Sequence, residues 1–236
     1  IERFLYRLAQ SQHRQKFVLK GALMLRVWNA LLARPTKDVD FLAYGPSDVD
    51  SVVAMVKAIC SVEVEPDGLL FDPDTVAGAK IKEDAEYEGV RVKLTAKLEN
   101  AVVYMQLDVA FGDVVVPAVK EVEFPTVLSH PAPTLRVYPR ESVIAEKYQA
   151  MVFLGTLNSR MKDFYDVWLL ARQFDFDGPT LLSSIKATFA NRGTAIDPTP
   201  VAFTEAFTTA ATSRAQWSAF MRRLGTDAPR SLQEAA

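Results

Sequence analysis

The chain has 236 residues, 49% of them apolar and 24% charged, with a formal net charge of −2. That length suits one large domain or two modest ones with real cores, and the slightly acidic balance excludes a protein that coats nucleic acid through a global basic surface. No run of about 18 uncharged apolar residues occurs, so no transmembrane helix is expected, and a single cysteine, Cys60, excludes an internal disulfide.

The first stretch, "IERFLYRLAQSQHRQKF", is charged throughout and lacks the apolar core of a signal peptide. It also lacks an initiator Met, so a trimmed N-terminus is expected. Next, "FVLKGALMLRVW" reads as a strand, then Lys20-Gly21, then a helical run opening near Ala22. Such a turn lets backbone N–H groups approach an anion at a helix N-terminus. Seventeen residues after Gly21 comes Asp38, within "RPTKDVDFLAYG", whose "DVDFLAY" reads as a strand. Strand alternation puts Asp38 and Asp40 on one face and Val39 and Phe41 on the other. Like charges side by side gain nothing for folding unless something positive lies between them, and a divalent cation is the natural candidate. Arg34 and Lys37, just upstream, are placed to meet phosphate charge; a solvated loop position is the other reading of both.

"SDVDSVVAMVKAIC" reads as a helix capped by Ser47 or Asp48. Cys60 at its end, in an apolar run, reads as a buried structural thiol, a usage that fits a reducing, cytoplasmic setting. His13 and His130 have no partner at metal-ligand spacing, so no zinc site is expected. "RVKLTAKLENAVVYMQLDVAFGD" reads as a hairpin turning near "LEN". On its second arm Met105, Leu107, Val109 and Phe111 share one face, and Tyr104, Gln106, Asp108 and Ala110 the other. Asp108 is then either a solvated outward residue or a third metal ligand. Asp113, just past Gly112, reads as a turn residue. "SHPAPTLRVYPRES" reads as a connector with a short extended piece.

Helices dominate from there: "RESVIAEKYQAMVFLG", ending at Gly155, then "SRMKDFYDVWLLARQF", "GPTLLSSIKATFANRG" and a final run with a break. In the first of these, Ile144, Tyr148 and Met151 form an apolar stripe that includes Lys147, which must snorkel out or meet an anion, while Glu146 points elsewhere, toward the surface. In the second, Asp166 interrupts an apolar surface from Phe164 to Ala171. It should be buried, either in an ion pair with Lys147 or Arg160 or beside the metal-binding carboxylates. Asp163 shares its face approximately. Arg160, Lys162 and Arg172 add local positive charge for a phosphate backbone or nucleotide.

Taken in order and spacing, "LKGALMLRVW…RPTKDVDFL", "QLDVAFGD", "ESVIAEKYQAMV" and "SRMKDFYDVWLLAR" resemble the AbiEii/AbiGii toxin family of nucleotidyltransferases, which includes MenT-type toxins. The likeness spans roughly residues 15 to 175. It implies an α+β fold: a DNA polymerase β-like nucleotidyltransferase domain with a mixed sheet, residues 1–135, followed by a helical domain, 136–236. By the same likeness Gly21, with Lys20 and Ala22, would hold the triphosphate, and Asp38 and Asp40 would bind metal. Lys147 matches the lysine of the third motif, a nucleotide contact, and Asp166 the acid of the fourth. One departure is Ala22, where many nucleotidyltransferases have Gly or Ser, so backbone N–H groups alone would meet the phosphate there.

The expected activity is a Mg²⁺- or Mn²⁺-dependent transfer of NMP from an NTP to RNA, with the tRNA 3′ end as acceptor. Translation would stop, and the partner would be a cognate antitoxin. Two alternatives stay open: an enzyme that modifies a small molecule or a protein, and a nucleotide-binding module without chemistry.

Overall fold

Apolar residues alternating with polar ones build the sheet of the first unit, and helical apolar stripes build the second. The structure, a computed structural model, describes residues 1–31, 33–83, 87–226 and 229–236. Its contacts divide the chain into two compact units. One comprises Ile1–Trp28, Thr36–Asp113 and Val119–Tyr138, the other Asn29–Pro35, Val114–Ala118 and Pro139–Ala236.

In the first unit, helix α1 (Glu2–Gln10) precedes β1 (Phe17–Lys20), a 3₁₀ turn over Gly21–Leu23 and the single-turn α2 (Met24–Val27). The helical run expected at Ala22 is therefore much shorter than its apolar pattern suggests, and it offers no developed helix dipole to an anion. Next come β2 (Asp38–Ala43), α3 (Val49–Cys60), β3 (Leu69–Glu83), β4 (Tyr87–Leu98), β5 (Ala101–Ala110), β6 (Lys120–Glu123) and β7 (Thr134–Val137). Among the described residues these strands form one sheet in the order β3-β4-β5-β2-β1-β7-β6. It is mixed: β2 runs parallel to β5 and β1 to β7, while the other pairs are antiparallel.

Helices α1 and α3 bury one face of this sheet. Phe4, Leu5, Leu8, Val52, Val56 and Ile59 meet Val39, Phe41, Val90, Val92, Leu107 and Val109 in a single core. Asp48 caps α3, its side chain accepting from the Ser51 N–H at 2.8 Å. Cys60 lies inside this core, where burial pushes its thiol up to about 11. Close approach of α3 to β3 requires Gly78, since a Cβ there would come within 2.7 Å of Val53 and 2.9 Å of Val49.

Helix α1 is fastened by a buried carboxylate. Asp67, its side chain 2% exposed, accepts from Arg3 at 2.6 Å and Arg7 at 2.7 Å. Burial alone would raise its pKa, yet the two guanidinium groups hold it well below the usual carboxylate range. A depressed folded-state value means stabilisation that is present above the unfolded pKa of about 3.9 and lost as pH falls below it. Asp67→Asn leaves two buried cations short of charge, and a cost of about 3 kcal/mol is expected. Thermal unfolding at neutral pH should show it as a drop of roughly 10 °C that shrinks in acid; an unchanged midpoint would rule it out.

In the second unit, α4 (Arg140–Leu154) ends at Gly155, whose φ of 49° stops the helix. After it come α5 (Met161–Gln173), α6 (Gly178–Asn191), α7 (Glu205–Thr208), α8 (Ala211–Leu224) and α9 (Leu232–Ala235). The break expected in the last helical run falls between α7 and α8, and Gly225 caps α8 in the left-handed region. Tyr148 and Phe164 from α4 and α5 pack against Phe203 at ring separations of 5.8 and 5.9 Å. No helix among the described residues is long and apolar enough to cross a membrane.

Candidate active site

Strand β2 supplies the first element of the site. Alternation sends Val39 and Phe41 into the core and leaves Asp38 exposed and Asp40 half-buried on the opposite face. Pairing carries that face sideways. Asp40 lies opposite Lys20 on β1 and Asp108 on β5, and Asp108 lies opposite Arg91 on β4. Four neighbouring strands therefore present Arg91, Asp108, Asp40 and Lys20 in one row.

Gly21 borders this row at φ +71°, a conformation that costs any other residue about 1–2 kcal/mol. A Cβ at Gly21 would also sit 2.6 Å from Cγ and 2.8 Å from Cβ of Asp40. The backbone of Gly21 thus lies directly against the Asp40 carboxylate, a cradle that a side chain would fill. Gly21→Ala should lower the melting point by several degrees and the rate of any reaction run at this row at least about tenfold. Adding Asp40→Ala should recover part of the stability and none of the activity, because the clash is only the steric share. Wild-type stability and rate in the single variant would refute this reading of the cradle.

The flanking cations are engaged. Lys20 donates to Asp113 Oδ2 at 2.7 Å and lies 5.1 Å from the centre of the Tyr138 ring. Asp113, expected to be a turn residue just past Gly112, is buried and is also the partner of that ion pair. Arg91 grips Asp108 with two bonds, Nε to Oδ1 at 2.8 Å and a terminal nitrogen to Oδ2 at 2.7 Å. Each oxygen of Asp108 is therefore already an acceptor. Among the described residues, no three His, Cys, Asp or Glu side chains converge as a metal-holding group. Ala22 is buried, and Lys37 is exposed.

The second unit holds its own charge cluster. The side chains of Asp163 and Asp166 are each 1% exposed, and that of Lys147 is 13% exposed. The Lys147 ammonium donates to Asp163 at 2.7 Å and pairs with Asp166 at 2.8 Å. Arg34 forks onto both oxygens of Asp166 at 2.9 and 3.0 Å, which makes it a buried partner and not a solvated cation. Arg160 closes on Asp163 at 2.7 Å. Burial would lower the Lys147 pKa, but the charges of Asp163 and Asp166 raise it above the ordinary lysine value. Burial would raise that of Asp163, but Lys147 and Arg160 bring it below the carboxylate range. Lys162 and Arg172 stay exposed, Arg172 over the Trp168 ring. Glu146, expected at the surface, is half-buried and meets Arg192 at 3.6 Å.

The segment ahead of the paired aspartates is held by the same helix. Gln173 on α5 both accepts from the Leu31 N–H and donates to its carbonyl, each at 2.8 Å. Arg91, Gln173 and the ion-pairing role of Asp113 escape a reading of the sequence. Only the alternation Arg91, Lys93, Thr95, Lys97 signals that Arg91 belongs to the open face of β4.

The sequence model described as "Nucleotidyl transferase AbiEii toxin, Type IV TA system" matches residues 3–236. Among solved structures, the crystal structure of JHP933 from Helicobacter pylori is 16% identical, with 94% of this chain and 90% of that one covered at a TM-score of 0.46. A second H. pylori protein, a proposed nucleotidyltransferase, is 15% identical, with 81% and 91% covered at a TM-score of 0.38. No curated protein matches. With a family match over nearly its whole length, the chain belongs to the AbiEii nucleotidyltransferase toxins of type IV toxin–antitoxin systems.

Proposed function

We propose that the protein transfers NMP from an NTP to an RNA 3′ hydroxyl, that of tRNA first, and so blocks translation in the cytoplasm until an antitoxin counters it. The observation that carries the chemistry is the Gly21 backbone pressed against Asp40, with Asp38 on the same face of β2. The RNA acceptor rests on the resemblance to MenT-type toxins.

The donor set fits Mg²⁺ or Mn²⁺. Asp38 and Asp40 supply two carboxylates, and such an ion takes its other ligands from water and substrate phosphates. When bound, the ion neutralises developing phosphate charge and lowers the pKa of the attacking hydroxyl. Asp40 and Asp38 fix where the triphosphate sits, and Gly21 leaves it room. The acceptor oxygen forms a bond to the α-phosphorus, and the α–β anhydride bond breaks. Pyrophosphate leaves with the electron pair. The hydroxyl proton passes to solvent or to Asp108, whose oxygens keep lone pairs beyond those used by Arg91. A nucleotide-contact role for Lys147 rests on the resemblance alone, since its ammonium is shared by Asp163 and Asp166.

The test is purified protein with total tRNA, Mg²⁺ and each α-³²P-labelled NTP in turn. Label on tRNA with one or two nucleotides supports the proposal. Label on protein or a small molecule instead would replace the acceptor, and absence of both transfer and Mg²⁺-dependent NTP binding would overturn it.

A further inference from the structure

The open face of the β4–β5 ribbon continues the row of Asp40 and Asp108 outward. On β4, Val92, Leu94 and Ala96 are buried, while Arg91, Lys93, Thr95 and Lys97 take the other face. A solvated sheet face commonly looks like that. What departs from the ordinary is β5. Tyr104, directly opposite Thr95, is 82% exposed, and Val102, opposite Lys97, is 49% exposed. Leu70 on β3, also opposite Lys97, is 73% exposed. Apolar and aromatic surface is thus interleaved with cations, and water gains nothing from that arrangement.

Geometry narrows the occupant. Tyr104 lies diagonal to both Lys93 and Lys97, which places each ammonium-bearing side chain roughly 7–8 Å from it at the backbone. Asp108 is four residues along the same strand, about 13 Å away. Cations spaced every second residue around an exposed aromatic ring suit an extended polyanion with stacking faces, namely single-stranded nucleic acid. Of the acids on this face, Asp108 is neutralised by Arg91, while Asp72, opposite Thr95, accepts from the Asp74 N–H and keeps its charge, so the polyanion is placed along the Lys93, Tyr104 and Lys97 side.

We infer that this ribbon face is the track for the single-stranded 3′ end of the RNA acceptor, with Tyr104 stacking a base and Lys93 and Lys97 meeting the phosphates. The inference rests on the proposed RNA acceptor and deepens it. A terminal hydroxyl at the Asp40–Asp108 row would leave the upstream nucleotides running toward the hairpin tip.

The experiment uses a fluorescein-labelled single-stranded RNA with a free 3′ hydroxyl, titrated into wild type, Tyr104→Ala, Tyr104→Phe and Lys93→Glu/Lys97→Glu. Transfer to the same RNA is assayed alongside, and NTP affinity and thermal melts report folding. Tyr104→Ala should weaken RNA binding by about 5- to 100-fold and raise the acceptor KM with kcat little changed, whereas Tyr104→Phe keeps wild-type affinity. The double variant should flatten the slope of log affinity against log salt by about 1.4, the share of two lost phosphate contacts on a single strand. NTP affinity should hold in all variants. If wild type labels RNA and every variant keeps wild-type RNA affinity and KM, this inference falls while the RNA acceptor stands. If wild type neither binds nor labels RNA but labels another acceptor, both fall together.

Discussion

Asp40→Asn is expected to slow nucleotidyl transfer by about three orders of magnitude at saturating NTP, with the fold intact. The amide occupies the same space beside Gly21, so the cradle survives. What it lacks is the charge that a hard cation requires. Stability should change little, because the amide keeps the shape of the carboxylate and Asp40 stands in the row between Lys20 and the Arg91-paired Asp108. A drop in activity at constant melting temperature separates lost chemistry from lost folding. The measurement is single-turnover transfer of labelled nucleotide at rising Mg²⁺, beside a melt. A rate within tenfold of wild type, with the same Mg²⁺ midpoint, would remove Asp40 from the site.

Lys147→Met is expected to cost about 3–5 kcal/mol, because it leaves two carboxylates in the interior short of a cation they share. For a chain of this size that is roughly a 10 °C fall in melting temperature. The pH profile carries the signature. Lys147 has a folded pKa above its ordinary value, so its stabilisation is full below the unfolded value of about 10.4 and fades as pH rises through the folded one. Asp163 has a folded pKa below the carboxylate range, so its share is present above about 3.9 and fades as pH falls through the folded value. The wild-type plateau therefore spans these limits. In Lys147→Met the acid limb should move upward in pH, since Asp163 keeps the partly exposed Arg160 and the charge of Lys162 but loses its buried partner. Unfolding midpoints across that range check this. A change under about 2 °C at neutral pH would show that the cluster carries no such coupling. A companion Lys147→Met/Asp163→Leu variant should regain stability, since apolar replacement of a buried pair is often neutral. Transfer should stay lost if Lys147 braces phosphate.

Periodicity by itself determined several features. Alternation in "DVDFLAY" is enough to put Asp38 and Asp40 on one face, the apolar setting of Asp166 is enough to bury it, and the stripe around Lys147 is enough to demand an anion for it. The Asp48 cap and the stop at Gly155 follow from local chemistry too. Local pattern fails where it meets its own contrary signals. Strand β3 contains Pro73 and Gly78, which read as breakers, and it absorbs them through an irregularity between Asp72 and Ala77 and through the close approach of α3. Helix α1 has only nine residues and needs the distant Asp67 to fasten it.

Partner choice was legible at one place, Asp166, whose expected pairing with Lys147 is present at 2.8 Å; elsewhere it was beyond the sequence. Arg34 and Asp166 are separated by 132 positions, Lys20 and Asp113 by 93. Periodicity fixes the face on which a charge lies, because that depends on bond geometry within a few residues. Which opposite charge it meets depends on strand order, register and helix packing, and these are set by burying the whole core at once. The sequence alone thus determined the family, the paired carboxylates and a lysine within an apolar stripe that calls for an anion. Only the tertiary structure decided that Arg91 holds Asp108, that Arg34 holds Asp166, and that Tyr104 stands exposed between two lysines.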